Sequence, residues 1–128
     1  MPMPRITLVL ATALSLAFTP VAAQDLQKGY AAYQAGDYAT AIQEWTPLAA
    51  AGDAVTQYNM GLMYKNGRGV LQDNVMAHMW YNIASANGHD KAGEWRDERA
   101  GLMTPAAIEK AQAMARECMN SGYTMCGY

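Results

Sequence analysis

Two histidines, two cysteines and a pair of neighbouring carboxylates are the residues of this 128-residue chain with the most chemical reach. His78 and His89 are its only histidines. Two imidazoles are too few for a structural zinc site, and no cysteine spacing completes one. A structural or solvated imidazole is the expectation for both. Asp97 and Glu98 are adjacent, so a helix sets them about 100° apart, not face to face as an acid and a base should stand. Three residues after Ser85 comes Gly88, so no Ser-x-x-Lys acylating motif forms there. Ser121 has no base nearby in sequence. Gly67-Arg68-Gly69-Val70-Leu71-Gln72 begins like a dinucleotide loop. It lacks the third glycine and follows a helical pattern instead of a strand, so it reads as a structural turn. No catalytic residue, cofactor or metal site is implied, and the chain does not read as an enzyme.

The cysteines gain meaning from the first residues of the chain. Met1–Arg5 carry one positive charge, and Ile6–Phe18 form an apolar run. Thr19-Pro20 breaks it, and Val21-Ala22-Ala23 supplies small residues where a signal peptidase reads. This predicts a secretory leader over 1–23, cleaved between Ala23 and Gln24. The apolar run is short for ~30 Å of hydrocarbon, so no stable membrane insertion is expected after cleavage. Localisation is read as periplasmic or secreted. In such a compartment Cys118 and Cys126, the only two cysteines, are expected to form a disulfide. Free thiols or a bridge between molecules are the alternatives.

Composition sets the fold class. Hydrophobic residues make up 52% of the chain, with 24 Ala and one Phe. Alanine favours closely packed helices and offers little to a pleated sheet face. The net charge of −2 supplies no basic patch of the kind nucleic acid demands.

Helical periodicity then orders the mature chain. A first helix is predicted over 24–35, with Leu26, Gly29, Ala32 and Tyr33 on one face. Gly36 ends it and Asp37 caps the next, about 38–51, which buries Ala41, Ile42, Trp45 and Leu48. Pro47 should kink this helix without ending it. A third helix opens at Asp53 or Ala54 and runs to Asn66, with Met60, Gly61 and Tyr64 inward. Gly61 costs about 1 kcal/mol relative to Ala in a helix, which points to close approach of a neighbour. Gly67 and Gly69 turn the chain, Val70 and Leu71 tuck onto the core, and Asp73 caps a fourth helix over 74–87. That helix buries Ala77, Trp80, Tyr81 and Ala84. The segment 94–99 is heavily charged and should face water. Thr104 and Pro105 start the last helix, with Ala107, Ile108, Ala111, Met114 and Cys118 inward. The tail 121–128 is expected to fold back on that helix through the disulfide.

Gly52 and Gly88 close equivalent alanine-rich helix ends one period apart, and Ala92 repeats the place of Thr56. With these positions in view, Gln57-Tyr58-Asn59-x-Gly61, Tyr64, Gly67-x-Gly69-Val70, Asp73, Ala77, Trp80-Tyr81, Ala84 and Gly88 resemble a Sel-1-like repeat. That repeat is related to the tetratricopeptide repeat, which the preceding Gly36-Asp37-Tyr38-x-x-Ala41 also resembles. The resemblance implies an all-α, short right-handed α-solenoid of about three helical hairpins. Its units would be 24–52, the best-formed repeat 53–88, a capping hairpin 89–120 and the tail. Asp97 and Ala100 stand where the third unit would repeat Gly61 and Tyr64, and a polar cap fits that place.

By the same resemblance, the first helix of each hairpin lines a concave face. This places Val55, Tyr58, Leu62 and Lys65 near a groove that Tyr30 extends from the first hairpin. The aromatic residues Trp45, Tyr64, Trp80 and Tyr81 recur at helical spacing and are expected in the core. The function implied is an exported adaptor that binds a protein or peptide in the cell envelope, or that completes a larger complex. An envelope hydrolase or β-lactam-binding protein is the alternative, since cysteine-rich members of the wider family have been linked to that chemistry. Those carry a cysteine pair in each repeat, and this chain carries one pair in all.

Overall fold

The computed structural model describes Pro2 and residues 21–128, with side chains of the first helix from Leu26 onward. The apolar run of the expected leader lies outside the described residues. Among the described residues there are six helices and no strand: α1 (Val21–Gln34), α2 (Tyr38–Ala50), α3 (Ala54–Asn66), α4 (Asn74–Ala86), α5 (Ala92–Ala100) and α6 (Pro105–Asn120). α1 pairs with α2 and α3 with α4, and α2 packs on α3. α5 and α6 each pack on α4 more than on one another. The arrangement is a short α-solenoid.

The helix starts follow from side chains that satisfy otherwise free backbone N–H groups. Asp37 accepts from the Thr40 N–H and Asp53 from the Thr56 N–H. Asp73 accepts from both Val75 and Met76, and the Thr104 hydroxyl accepts from the Ala107 N–H. α3 ends at Gly67 in the left-handed conformation, with φ +63°. α2 runs through Pro47 to Ala50, so the proline does not end it.

The core is built where the helical spacing puts it. Trp45, Met60, Met63, Trp80 and Ile83 are buried in one cluster that also contains Ala115, Cys118 and Cys126. A second cluster joins Ala77, Tyr81 and Ala84 of α4 to Ala92 of α5. Gly61 is the reason α3 and α4 approach so closely. A Cβ on Gly61 would lie 2.5 Å from a ring carbon of Tyr81, so a side chain there would drive the helices apart. Thr56 and Ala92, one period apart, are both fully buried. Gln57 is buried as well and is satisfied at both ends of its amide. It donates to the Ala49 carbonyl at 3.0 Å and accepts from Asn87 at 2.8 Å, tying the ends of α2 and α4 together.

Three expectations need correction. Leu71 does not tuck onto the core; it is 90% exposed, and only Val70 of that pair packs inward. The turn after Gly69 spends one side chain on the core and then points the next into water. In α6 the buried seam is Ala111, Ala115 and Cys118, while Ala107 and Ile108 are half-exposed. Those three fall at i, i+4 and i+7, a tighter stripe of small residues than the predicted one. The bridged tail reaches beyond α6 to α4. Tyr123 accepts a hydrogen bond from Asn87 at 2.9 Å, and the Tyr128 ring lies 5.7 Å from that of Trp80. Cys118 and Cys126 form the expected bridge, with Cα atoms 4.5 Å apart and both residues buried.

Candidate interaction face

The face in question begins with a glycine. Gly29 in α1 leaves room for the Trp45 indole, whose nearest atom would lie 2.2 Å from a Cβ at that position. The indole N–H reaches the Leu26 carbonyl at 3.4 Å. Trp45 thus lies flat under α1 and forms the floor between α1 and α3. Tyr30 meets it edge-on at 5.2 Å between centroids, and Tyr33 lies 5.9 Å away, tilted. Above this floor a cleft of about 240 Å³ opens, lined by Tyr30, Tyr33, Gln34, Trp45, Asn59 and Leu62. Asn59 donates to the Tyr30 hydroxyl at 3.1 Å and closes one side of it.

Arg68 reaches the same place from the turn after α3. Gly67 and Gly69 hold φ of +63° and +71°, and a Cβ on Gly69 would sit 2.7 Å from the Tyr38 carbonyl oxygen. The turn therefore lies directly on the start of α2. There the Arg68 guanidinium donates to the Tyr33 hydroxyl and lies 5.5 Å and 5.3 Å from the Tyr33 and Tyr38 rings. A turn read from sequence as purely structural also delivers a cation to the edge of the cleft.

The five residues expected along a groove divide between two edges of α3. Tyr30 and Leu62 line the cleft shared with α1. Tyr58 and Lys65 turn toward α5. Tyr58 stacks on His89 at 4.2 Å, and the Lys65 ammonium lies 3.6 Å above the Trp95 ring. Val55 is exposed at the start of α3. Sequence reasoning missed Asn59, Tyr33 and Gln34, because a cleft between two helices depends on their relative placement. The signal within reach was the i, i+3 spacing of Asn59 and Leu62, a second line beside Tyr58 and Lys65.

Three phenols of α3 and α4 are shifted away from neutral pH. Burial pushes the Tyr58, Tyr64 and Tyr81 phenols above their ordinary value, Tyr81 furthest, so all three stay protonated. His78 is a buried structural imidazole rather than a solvated one. It is 2% exposed, and its Nδ1 has no hydrogen-bond partner. Burial, and then the neighbouring Arg96, hold its imidazole below the usual range, with Asp97 opposing. Ser121 is engaged in the tail, donating to the Cys118 carbonyl and accepting from the Met125 N–H. Asp97 and Glu98 pair with Arg96 and Arg99. Among the described residues no group of three or more His, Cys, Asp or Glu is placed to hold a metal ion. None of their helices is long and apolar enough to cross a membrane.

Residues 54–89 match the family model of the Sel1 repeat. The match covers 36 of the 128 residues. The matched stretch is α3, the glycine turn and α4, which contains the Gly61–Tyr81 contact, the Asp73 cap and one wall of the cleft. Sel1 repeats commonly mediate protein–protein interaction. No curated protein and no solved structure matches the chain.

Proposed function

We propose that this Sel1-repeat chain is an exported, non-catalytic adaptor of the cell envelope that binds a protein partner along the outward edges of α3. The observation that carries the reading is the open aromatic cleft between α1 and α3. Buried rings normally fill such a space themselves, yet here Tyr30, Tyr33 and Leu62 surround about 240 Å³ that remains open. An exposed apolar concavity on a small helical protein marks an interaction site. The apolar run at 6–18 and the bridged cysteines support export.

The reading is tested with a photo-crosslinking amino acid placed in living cells at Leu62, in the cleft, or at Gln112, exposed on α6. A discrete adduct is expected from the first position and not the second. It should disappear when Tyr30 is also changed to Ala. Equal adducts from both positions, or none from Leu62, would rule the cleft out as a binding site.

A further inference from the structure

We propose that the cleft between α1 and α3 receives one aromatic side chain, with a carboxylate next to it that meets Arg68, from an extended segment of the partner protein; this rests on the adaptor reading above. Size comes first. About 240 Å³ falls below the roughly 300–1,000 Å³ of sites for whole small molecules, and suits a single large side chain. Surroundings come next. The Tyr30, Tyr33 and Trp45 rings supply faces and edges, which an inserted ring meets in offset or edge-on contact. No charged side chain lines the cleft. Gln34 and Asn59 stand at its sides as the amide groups a peptide backbone would meet.

Charge fixes the neighbours of that ring. The described residues contain three ion pairs, Lys28–Glu44, Arg96–Asp97 and Arg99–Glu98. Arg68 is in none of them. Its guanidinium is anchored on the Tyr33 hydroxyl and beside two aromatic rings, so the group is held in place without a carboxylate. Lys65, one turn earlier on the opposite edge of α3, also makes no ion pair and rests on Trp95. Both edges of α3 thus present a cation beside aromatic surface, neither of them ion-paired among the described residues. At the cleft itself the fixed cation is Arg68, on Tyr33, and charge complementarity assigns the occupant a carboxylate next to its aromatic residue.

Purified protein is titrated with three capped tripeptides, acetyl-Asp-Phe-Asp-amide, acetyl-Lys-Phe-Lys-amide and acetyl-Asp-Ala-Asp-amide. The readout is the indole N–H resonance of Trp45, assigned with Trp45→Phe. The Asp-Phe-Asp peptide is expected to shift that resonance with at least about fivefold tighter binding than Lys-Phe-Lys, a difference that shrinks at high salt. The Asp-Ala-Asp peptide should leave it unmoved. Arg68→Gln should abolish the charge preference and Arg68→Lys retain most of it, with circular dichroism showing both variants folded. Equal binding of the two Phe peptides would overturn the carboxylate assignment while leaving the adaptor reading intact. No shift with any peptide overturns the proposal, and the crosslinking at Leu62 then decides the adaptor reading separately. A Trp45 resonance that moves on dilution without peptide would make the occupant a second copy of this chain, and would also overturn it.

Discussion

Gly61 and Tyr81 form the contact on which α3 and α4 meet. Helix preference alone would make Gly61→Ala stabilising by about 1 kcal/mol. The Cβ would lie 2.5 Å from the Tyr81 ring, and overpacking of this kind costs about 1–3 kcal/mol. We therefore expect a net loss of up to about 2 kcal/mol, read as a lower midpoint in urea; a raised midpoint would show that the helices can move apart freely. His78 gives a second outcome at this scale, in pH. The folded chain holds its imidazole below the usual 6.5, so below about that value the unfolded chain takes up a proton that the folded chain refuses. Stability is whole above about pH 6.5 and declines as pH falls through it. The melting temperature should drop between pH 7.5 and 5.5, and His78→Gln should flatten the curve there. Asp37, held below its usual 3.8 by hydrogen bonds from Thr40, acts only at lower pH, so the two effects separate. The same slope in the variant would remove His78 as its source. The glycine contact was legible because an interior helix glycine has few other reasons to exist. The burial of His78 was not, because its position three residues before Tyr81 is equally compatible with a half-exposed face.

At the scale of elements, the helix starts were readable because each depends on a side chain two or three residues from the N–H it accepts. Asp37, Asp53, Asp73 and Thr104 all cap where the sequence places them. Asp73→Ala should cost about 1 kcal/mol, since it frees both the Val75 and the Met76 N–H groups. A thermal melt of the variant checks this, and a change near zero would mean that water replaces the carboxylate without loss. The disulfide closes a short loop across a separation of 8 residues. On the chain-entropy account it contributes about 2.5 kcal/mol, so Cys118→Ser or reduction should lower the melting temperature by about 10–20 °C. Full stability after reduction would place the tail's hold in its packing on α4 instead. What the sequence did not disclose lies between elements. The exposure of Leu71 depends on how the glycine turn leans on Tyr38. The cleft depends on how Trp45 lies beneath Gly29, which lies 16 positions earlier in the chain but in van der Waals reach.

At the scale of the whole molecule, one buried cluster contains residues of α2, α3, α4, α6 and the tail, with Leu26 and Tyr33 of α1 packed against it. A core shared so widely should melt as one unit, although repeat proteins with independent units can unfold in stages. Calorimetry should give one transition with equal calorimetric and van't Hoff enthalpies; two resolved transitions would show that the first helix pair is independent. The solenoid itself was visible from the spacing of Gly52 and Gly88, whose φ values of +92° and +96° give two near-identical turns. That α5 and α6 both settle on α4 was not, because a charged nine-residue α5 offers little periodicity to read.

The covering of α4 by α6 and the bridged tail also sets an order of events as the protein is made. Met79 and Ile83 belong to the same buried cluster as Ala115, Cys118 and Cys126, which are synthesised later. Until those residues emerge, α4 has no partner for part of its apolar surface. The nascent chain therefore keeps that surface of α4 uncovered after residues 54–89 are complete, until α6 and the tail have been made.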